Sequence, residues 1–232
     1  MKYKTILSFD LSSKCIGVVA ARVDSRYYNP QIVKSIPIIP PNFCPTQLGY
    51  LKSKKKLPTA KGNEKLNCYA KPGEVTISKS EKTKRDREVR ASKNMFVLNY
   101  IGKQLSQLIK QINPDIIIVE KNEIFNGVLT SVLLGKVMGV LLGLAAQYDI
   151  TVIEYKVTKV RSILDVNKIT KEFTSSKTAS ELSEIPDVTK RALRGKMEEL
   201  YGKYGLSCST DDESDACVVF HYWLQEQRDY VV

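Results

Sequence analysis

Histidine and clustered cysteine are almost absent from this chain. It contains one histidine, His221, and five cysteines with no closely spaced pair. A structural zinc site needs several such ligands at short spacing, so the composition argues against one. The sequence also lacks an apolar run long enough to span a bilayer, and Asp10 interrupts the first apolar stretch, which reads as a strand rather than a signal peptide. An odd cysteine count without a secretion signal indicates reduced thiols, so we expect a cytoplasmic protein with no membrane partner.

Positive charge is in excess, with 36 Lys and Arg against 25 Asp and Glu and a net charge of +11. Much of it lies in two runs, "KSKKK" at 52–56 and "KSEKTKRDREVR" at 79–90. Such runs indicate a polyanionic partner such as nucleic acid, although a solvated loop is the competing interpretation for part of this stretch. From these runs we predict phosphate contacts by Lys54, Lys55, Lys56, Lys84 and Arg85.

The order of periodic segments indicates an α/β protein. Alternating patterns predict strands over 3–11, 15–23 and 31–39. Periodicity is lost over residues 40–91, which we interpret as a basic insertion or arm between the third strand and the first helix. The remaining segments predict a helix over 94–112, a strand over 115–120, a helix over 125–148, a strand over 150–157, a helix over 187–205 and a last helix from about residue 212; residues 158–186 stay unassigned. We therefore expect a mixed five-stranded sheet with helices on both faces in a single domain, residues 1–232.

The last helix opens with an acidic run, "DDESD". Helix capping by Thr210 or Asp211 is one explanation, since acids in a first turn favour the helix dipole. The helical register indicates more, because the buried stripe that ends near Trp223 continues backwards onto Asp212 and Asp215. Carboxylates on a core-facing line repel each other unless a cation lies between them. A metal ion, or a Lys or Arg side chain, would supply that charge.

Two further acids end predicted strands. Asp10 ends the first strand and Glu120 ends the buried strand over 115–120. A turn-initiating acid and a strand-end charge are the simpler interpretations. If these strands are neighbours and the last helix crosses the sheet, both acids meet Asp212 and Asp215. Convergent carboxylates without His or Cys suit Mg²⁺ or Mn²⁺, and two such ions can promote phosphodiester hydrolysis.

Three segments in this order resemble the RuvC-type Holliday junction resolvases of the RNase H-like and retroviral integrase superfamily. They are "ILSFDLSSKCIGVV", "PDIIIVEKNEIFNGVLTSVLLGKVMGV" and "DDESDA". The first carries the strand-ending Asp10 and then Gly17. The second carries Glu120 before the helix pattern "LLGKVMGV". The third opens the final helix with Asp212 and Asp215.

The resemblance implies an RNase H-like fold and a magnesium-dependent crossover junction endodeoxyribonuclease. Such an enzyme resolves four-way DNA junctions by paired symmetric nicks and acts as a homodimer. The residues implied as catalytic and as ligands of two Mg²⁺ or Mn²⁺ ions are Asp10, Glu120, Asp212 and Asp215, with Asp211 outside the ligand set. The basic residues implied near the metals are Lys196 and either Lys156 or Lys159, and Phe125 is the implied stacking aromatic, with a core role as its alternative.

Other functions stay open. A related nuclease would cut flaps, other branched DNA or RNA–DNA hybrids, and a non-catalytic nucleic-acid-binding module would keep only the fold. An ATPase of the sugar-kinase type needs glycine-rich phosphate loops, whereas "DLSSKCIG" is poor in glycine. The insertion is unusual for compact cellular resolvases. A phage or viral source, with action in the nucleoid or the host cytoplasm, is therefore one interpretation.

Overall fold

A computed structural model describes most of the chain. The described residues are 3–12, 14–24, 26, 28–44, 48, 51–52, 57–58, 65–66, 69–71, 73–74, 76–121 and 128–229. They divide into two compact units, Met1–Pro40 with Ile101–Val232, and Pro41–Tyr100. The predictions for Lys54, Lys55, Lys56 and Phe125 lie outside the described residues. The single-domain assignment, with an insertion over 40–91, stays a prediction.

The first three strands form an antiparallel sheet, as the alternating patterns predict. Strand β1 (Tyr3–Asp10) pairs with β2 (Ile16–Asp24), and β2 pairs with β3 (Pro30–Ile38). Pairing of β1 and β2 places Asp10 directly opposite Gly17. The end of β1 therefore lies against a strand position that has no side chain.

The unit over 41–100 contains two small hairpin pairings before a long helix. Strand β4 (Leu51–Lys52) pairs with β7 (Tyr69–Ala70), and β5 (Leu57–Pro58) pairs with β6 (Lys65–Leu66). Helix α1 then runs over Lys79–Ile112. The prediction that this helix starts at residue 94 is wrong, because the charged segment before it is helical.

Local interactions explain why the charged segment is helical rather than a loop. The backbone N–H of Glu81 donates to Ser78 Oγ at 3.1 Å, which caps the start of α1. Lys82 and Asp86 form an i,i+4 ion pair at 2.6 Å. Oppositely charged residues at this spacing stabilise a helix, so a charge run without apolar periodicity can still be helical.

Arg85 belongs to the interior of the 41–100 unit. Its side chain is 4% exposed, and its guanidinium donates to Glu74 at 2.7 Å, to Glu81 at 3.0 Å and to the carbonyl of Tyr69 at 2.9 Å. The Arg85 bond holds the pKa of Glu74 down at about 2. The prediction that Arg85 contacts DNA is therefore wrong, whereas its neighbour Lys84 is exposed.

The second half of the chain completes the sheet and covers it with helices. Strand β8 (Ile116–Lys121) pairs in parallel with β1 and with β9 (Thr151–Lys156), so the sheet order is β3-β2-β1-β8-β9. The helices after β8 are α2 (Val128–Gln147), α3 (Val157–Ser162), α4 (Val166–Ser175), α5 (Ala179–Ser183), α6 (Val188–Tyr201) and α7 (Asp211–Asp229). Residues 158–186, which the sequence left unassigned, contain most of α3 and all of α4 and α5. The predicted mixed five-stranded α/β sheet is confirmed.

Helix α7 packs on one face of the sheet. Its stripe residues Ala216, Val219, Phe220 and Trp223 are buried as predicted, and they share a core cluster with Ile6 of β1. The residues of β1 that point to the opposite face, Leu7 and Phe9, are also fully buried. Both faces of the sheet are therefore covered. Among the described residues, no helix is both long and apolar enough to cross a membrane.

Replacing Arg85 with Met should lower the free energy of unfolding of the 41–100 unit by about 1–3 kcal/mol, because charged hydrogen bonds to Glu74 and Glu81 are lost. Urea unfolding followed by circular dichroism measures this change. Lys84→Met is the matched control at an exposed neighbouring position, and it should change stability by less than about 0.5 kcal/mol. Equal stability of the two variants would contradict the structural role of Arg85.

Candidate active site

Two acids meet where the central parallel strands end. Strands β1 and β8 pair through Phe9 and Val119, so the next residues, Asp10 and Glu120, come side by side at the same edge of the sheet. Both side chains are half-buried. The sequence prediction that neighbouring strands would place these two carboxylates together agrees with this register.

Close packing of α7 on β2 brings the third acid to this edge. Any side chain at Gly17 would collide with the backbone carbonyl of Asp212, so the start of α7 packs directly against the backbone of β2. Ser8 Oγ in β1 donates to the carbonyl of Ala216 at 2.6 Å and fixes the next turn of the helix. Asp215 lies between these two contacts and is turned toward the strand ends.

Glu213 caps the helix and is not part of the acidic site. It is 1% exposed, and its Oε2 accepts from the backbone N–H groups of Ser209 and Thr210 at 2.9 and 2.7 Å. Its Oε1 accepts from Ser35 Oγ at 2.9 Å. Thr210 Oγ1 accepts from the Glu213 N–H at 3.4 Å, which completes a reciprocal capping box. Thr210, rather than Asp211, is therefore the N-cap.

Three of the four predicted acids line one cleft. The cleft is bordered by Asp10, Glu120 and Asp215 and by the side chain of Arg161. Asp212 is not among the described residues that border the cleft. Burial, followed by a hydrogen bond to the Asp212 carboxylate, raises the pKa of the Cys15 thiol to about 12.

Asp10 is an acid of the cleft whose pKa departs far from its ordinary value. Burial raises its pKa to about 7, and the charges of Asp215, Glu120 and Asp212 add to the effect in that order. Lys190 opposes the increase. Burial and the three neighbouring carboxylates thus outweigh the positive charge of Lys190 at Asp10.

Lys190 and Arg161 are the basic residues at the acids. Lys190 Nζ lies 3.3 Å from Asp215 Oδ2. Burial alone would lower the pKa of Lys190, but the carboxylates of Asp215, Asp212 and Asp10 raise it above its ordinary value. Arg161 favours the ionised form of Asp215 through its charge. The site thus contains two cations that the sequence analysis did not select.

The basic residues selected from the sequence lie elsewhere. Lys196 lies one to two turns along α6 from Lys190, and its Nζ donates to Glu199 at 2.9 Å. The lysine at the acids is therefore Lys190 and not Lys196. Lys156 and Lys159 are exposed at the β9–α3 junction and do not line the cleft. Arg161, in the same segment, does line it. The sequence carries no signal that separates Arg161 from Lys159, because both flank Val160 of α3.

The donor set of the cleft fits a hard divalent cation. All its candidate ligands are carboxylate oxygens, which Mg²⁺ and Mn²⁺ prefer, and no His or Cys lines it. Over the part of the chain that the structure describes, however, no three His, Cys, Asp or Glu side chains form a ready metal-binding group. The expected convergence of four acids to metal-bridging distance is therefore not met by these side-chain positions. Three acids share a cleft, and the fourth acts through its charge.

Comparisons with known proteins identify the fold. No family model and no curated protein sequence matches the chain. The structure of Thermus thermophilus RuvC in complex with a Holliday junction substrate is similar, with a TM-score of 0.52, 8% identity and coverage of 96% of each chain. A second Thermus thermophilus RuvC structure gives 0.50, 9% and the same coverage. A fowlpox virus resolvase, with a TM-score of 0.42, 12% identity and coverage of 98% and 99%, adds nothing to the assignment. The predicted fold is confirmed: this chain has the RuvC-type, RNase H-like fold.

Asp10→Asn should make the protein more stable than the wild type at pH 8, and equally stable near pH 4, in the presence of a chelator. The pKa of Asp10 is about 7 in the folded protein and 3.8 ordinarily, so the folded protein binds this proton more tightly than the unfolded chain does. The wild type therefore loses stability as the pH rises from about 4 to 7, whereas Asp10→Asn has no proton to release at this position and does not. The expected difference at pH 8 is on the order of 2–4 kcal/mol. Urea unfolding at both pH values measures it. A difference that is the same at pH 4 and pH 8 would contradict the raised pKa of Asp10.

Proposed function

We propose that this chain is a magnesium-dependent endonuclease that resolves four-way DNA junctions by paired symmetric nicks. The observation that carries the proposal is the cleft in which Asp10, Glu120 and Asp215 meet from β1, β8 and α7. Acids brought together from three separate segments cost stability, since burial and then repulsion by Asp215 and Glu120 raise the pKa of Asp10. A purely structural role does not account for that cost, whereas binding of a catalytic cation does.

Asp10, Glu120 and Asp215 would hold the metal, with Asp212 as the adjoining acid. Mg²⁺ bound there would supply an activated water and neutralise charge on the phosphate and the leaving oxygen. Lys190 and Arg161 flank the acids and would hold the scissile phosphate against the cleft. Before DNA binds, Lys190 instead offsets part of the acidic charge through Asp215.

The charge of the chain favours DNA as the substrate. A net charge of +11 on a protein whose cleft is acidic means that the positive charge lies mostly outside the site. In α1, exposed basic side chains include Lys84, Arg87 and Arg90, and such residues suit sequence-independent phosphate contacts. We expect them, with the basic run at 52–56, to bind the DNA backbone.

A homodimer would place one site on each of two strands of the junction. Helix α2 offers a surface for it, because Gly135, Gly139 and Gly143 are exposed at one-turn spacing and none of the described residues packs on them. Val132 and Leu142 flank these glycines as exposed apolar side chains. A two-fold contact along this face buries the apolar side chains and matches the approximate two-fold symmetry of a four-way junction.

We place the activity in the cytoplasm, where the buried thiols of Cys208 and Cys217 stay reduced.

Asp10→Asn and Glu120→Gln should each lower the rate of junction cleavage by at least about a thousandfold, because each removes a charged metal ligand. Binding of the junction should be retained. The measurement is single-turnover cleavage of a synthetic four-way junction with Mg²⁺, compared with flap, RNA–DNA hybrid and duplex substrates and with a chelator.

Asp211→Asn is the matched control for this test, since Asp211 precedes the acids on α7 and does not line the cleft. Its cleavage rate should stay within about threefold of the wild type. Cleavage by the wild type with a chelator present, or by Asp10→Asn with Mg²⁺, would contradict the metal-dependent mechanism. Preference for hybrid or flap over the junction would keep the nuclease and remove the junction as substrate.

Lys190→Met should slow junction cleavage by about tenfold to a hundredfold, because a positive charge next to the phosphate is lost. Lys196→Met removes the same group from a position paired with Glu199 and should change the rate by less than about twofold. Both variants are compared in single-turnover cleavage at saturating protein. A slower Lys196→Met with an unaffected Lys190→Met would reverse our placement of the two lysines.

A further inference from the structure

The side chain of Lys190 is bound to an acid that the metal would also use. Lys190 Nζ donates to Asp215 Oδ2 at 3.3 Å, and Asp215 is one of the three acids that border the cleft. Lys190 is not among the described residues that border the cleft, but it borders the adjoining cavity, as does Asp215. The lysine and the metal therefore compete for one carboxylate from two neighbouring spaces.

The ion pair between Lys190 and Asp215 can be exchanged at little cost. Both side chains are partly exposed, 44% for Lys190 and 22% for Asp215, and ion pairs in contact with water contribute little to stability. An ammonium group on a flexible stem is held by charge rather than by a fixed geometry. Arg85 is the opposite case, because its planar guanidinium is 4% exposed and bonded to several groups. The Lys190 pair is therefore of the kind that opens when a stronger partner arrives.

The surroundings of Lys190 allow its side chain to move while its backbone stays in place. The Lys190 N–H donates to Asp187 Oδ1 at 3.0 Å, which caps α6 and fixes the start of the helix. The cavity beside the lysine lies between α3, α4, α6 and α7 and has a volume of about 190 Å³, which is room for several water molecules. The ammonium group can therefore turn from Asp215 to another partner at the same cavity without a shift of α6.

Electrostatic attraction controls when the lysine leaves Asp215. A divalent cation at Asp215 would cancel the negative charge that holds Lys190 and would repel the ammonium group. Asp212 and Asp10 also attract Lys190, and the same cation would offset their charge. A DNA phosphate next to the cleft offers the freed lysine a new negative partner. Each binding event thus removes an obstacle to the other.

We propose that Lys190 leaves Asp215 when the metal binds and moves to the phosphate of the bound strand, so that metal and DNA each raise the protein's affinity for the other. The inference rests on the proposed nuclease function and concerns the regulation of its site. Linkage requires the effect to be reciprocal, because both ligands act on one ion pair. The metal alone must displace the lysine, and DNA alone finds the lysine already paired. Lys190 thus favours the complete complex of protein, metal and DNA over either partial one.

Acetylation of Lys190 in the wild-type protein tests the release directly. The protein is treated with acetic anhydride with and without Mn²⁺, in the absence of DNA, and each lysine is followed by mass spectrometry. An amine that has left its carboxylate partner reacts faster, so Lys190 should be acetylated at least about threefold faster with Mn²⁺. Lys196 is the matched control on α6, because it is paired with Glu199 away from the acids, and its rate should change by less than about 1.5-fold. Calorimetry on the same protein verifies that Mn²⁺ is bound.

Lys190→Met tests the coupling between metal and DNA. Junction affinity is measured by fluorescence anisotropy with and without Ca²⁺, which shares the preference for carboxylate oxygens, and a gel of the same samples verifies that the junction is intact. The ratio of the two affinities should be at least about threefold smaller in Lys190→Met than in the wild type, because no lysine is released to the phosphate.

Arg161→Met is the charge-matched control for the coupling. Arg161 acts on Asp215 through its charge and borders the cleft itself. Loss of this charge should weaken junction binding alike with and without Ca²⁺, so the ratio should stay within about twofold of the wild type.

Faster acetylation of Lys190 with Mn²⁺, together with a smaller ratio in Lys190→Met, supports the exchange. Equal acetylation with and without bound Mn²⁺ would overturn it, as would equal ratios in Lys190→Met and Arg161→Met. The acetylation experiment uses the unaltered chain, so misfolding of a variant, which circular dichroism would reveal, leaves that test intact. A wild type that binds no Mn²⁺ would overturn the proposed function as well. Mn²⁺ binding and junction cleavage with unchanged acetylation of Lys190 would overturn this inference alone.

Discussion

The start of α7 rests directly on the backbone of β2 at Gly17, and the acidic cleft depends on that contact. Any side chain at this position would meet the carbonyl of Asp212 and displace the first turn of the helix. The Glu213 capping box holds the same turn, and the Ser8 hydroxyl holds the next turn through the carbonyl of Ala216. Because Asp10 is the strand partner of Gly17, the residue that seats the helix lies opposite the first acid of the cleft.

The charge distribution then follows from this seating. Acids from β1, β8 and α7 are held close together, and the pKa of Asp10 rises to about 7 as burial and the other carboxylates oppose its ionisation. Lys190 and Arg161 offset only part of this charge. Without a bound cation, the folded protein is thus less stable than it would be with uncharged side chains at these positions. Such a cost is common at sites arranged for binding and catalysis. The excess positive charge of the chain lies elsewhere, on surfaces that suit a DNA backbone.

Much of this arrangement could be predicted from the sequence, where the signals are periodic. Asp10 and Glu120 end predicted strands whose apolar patterns are clear. The α7 stripe points back to Asp212 and Asp215, of which Asp215 borders the cleft. Side-chain partners could not be predicted in the same way. Spacing along α6 does not show which lysine faces α7, and the resemblance implies Lys196, whereas Lys190 lies at the acids. The charged first half of α1 carries i,i+4 ion pairs instead of an apolar stripe. Its sequence therefore predicts a loop with Arg85 at the surface, whereas the structure has a helix in which Arg85 is buried.

Metal binding by Gly17→Ala tests most directly whether the seating of α7 creates the site. This variant keeps every carboxylate of the cleft and changes only the surface on which α7 rests. Titration calorimetry with Mn²⁺ in the absence of DNA should show binding to the wild type and at least about tenfold weaker binding to a folded Gly17→Ala protein, because Asp215 moves away from Asp10 and Glu120. Equal affinity in the two proteins would contradict the account, since the acids would then assemble without the close contact at Gly17.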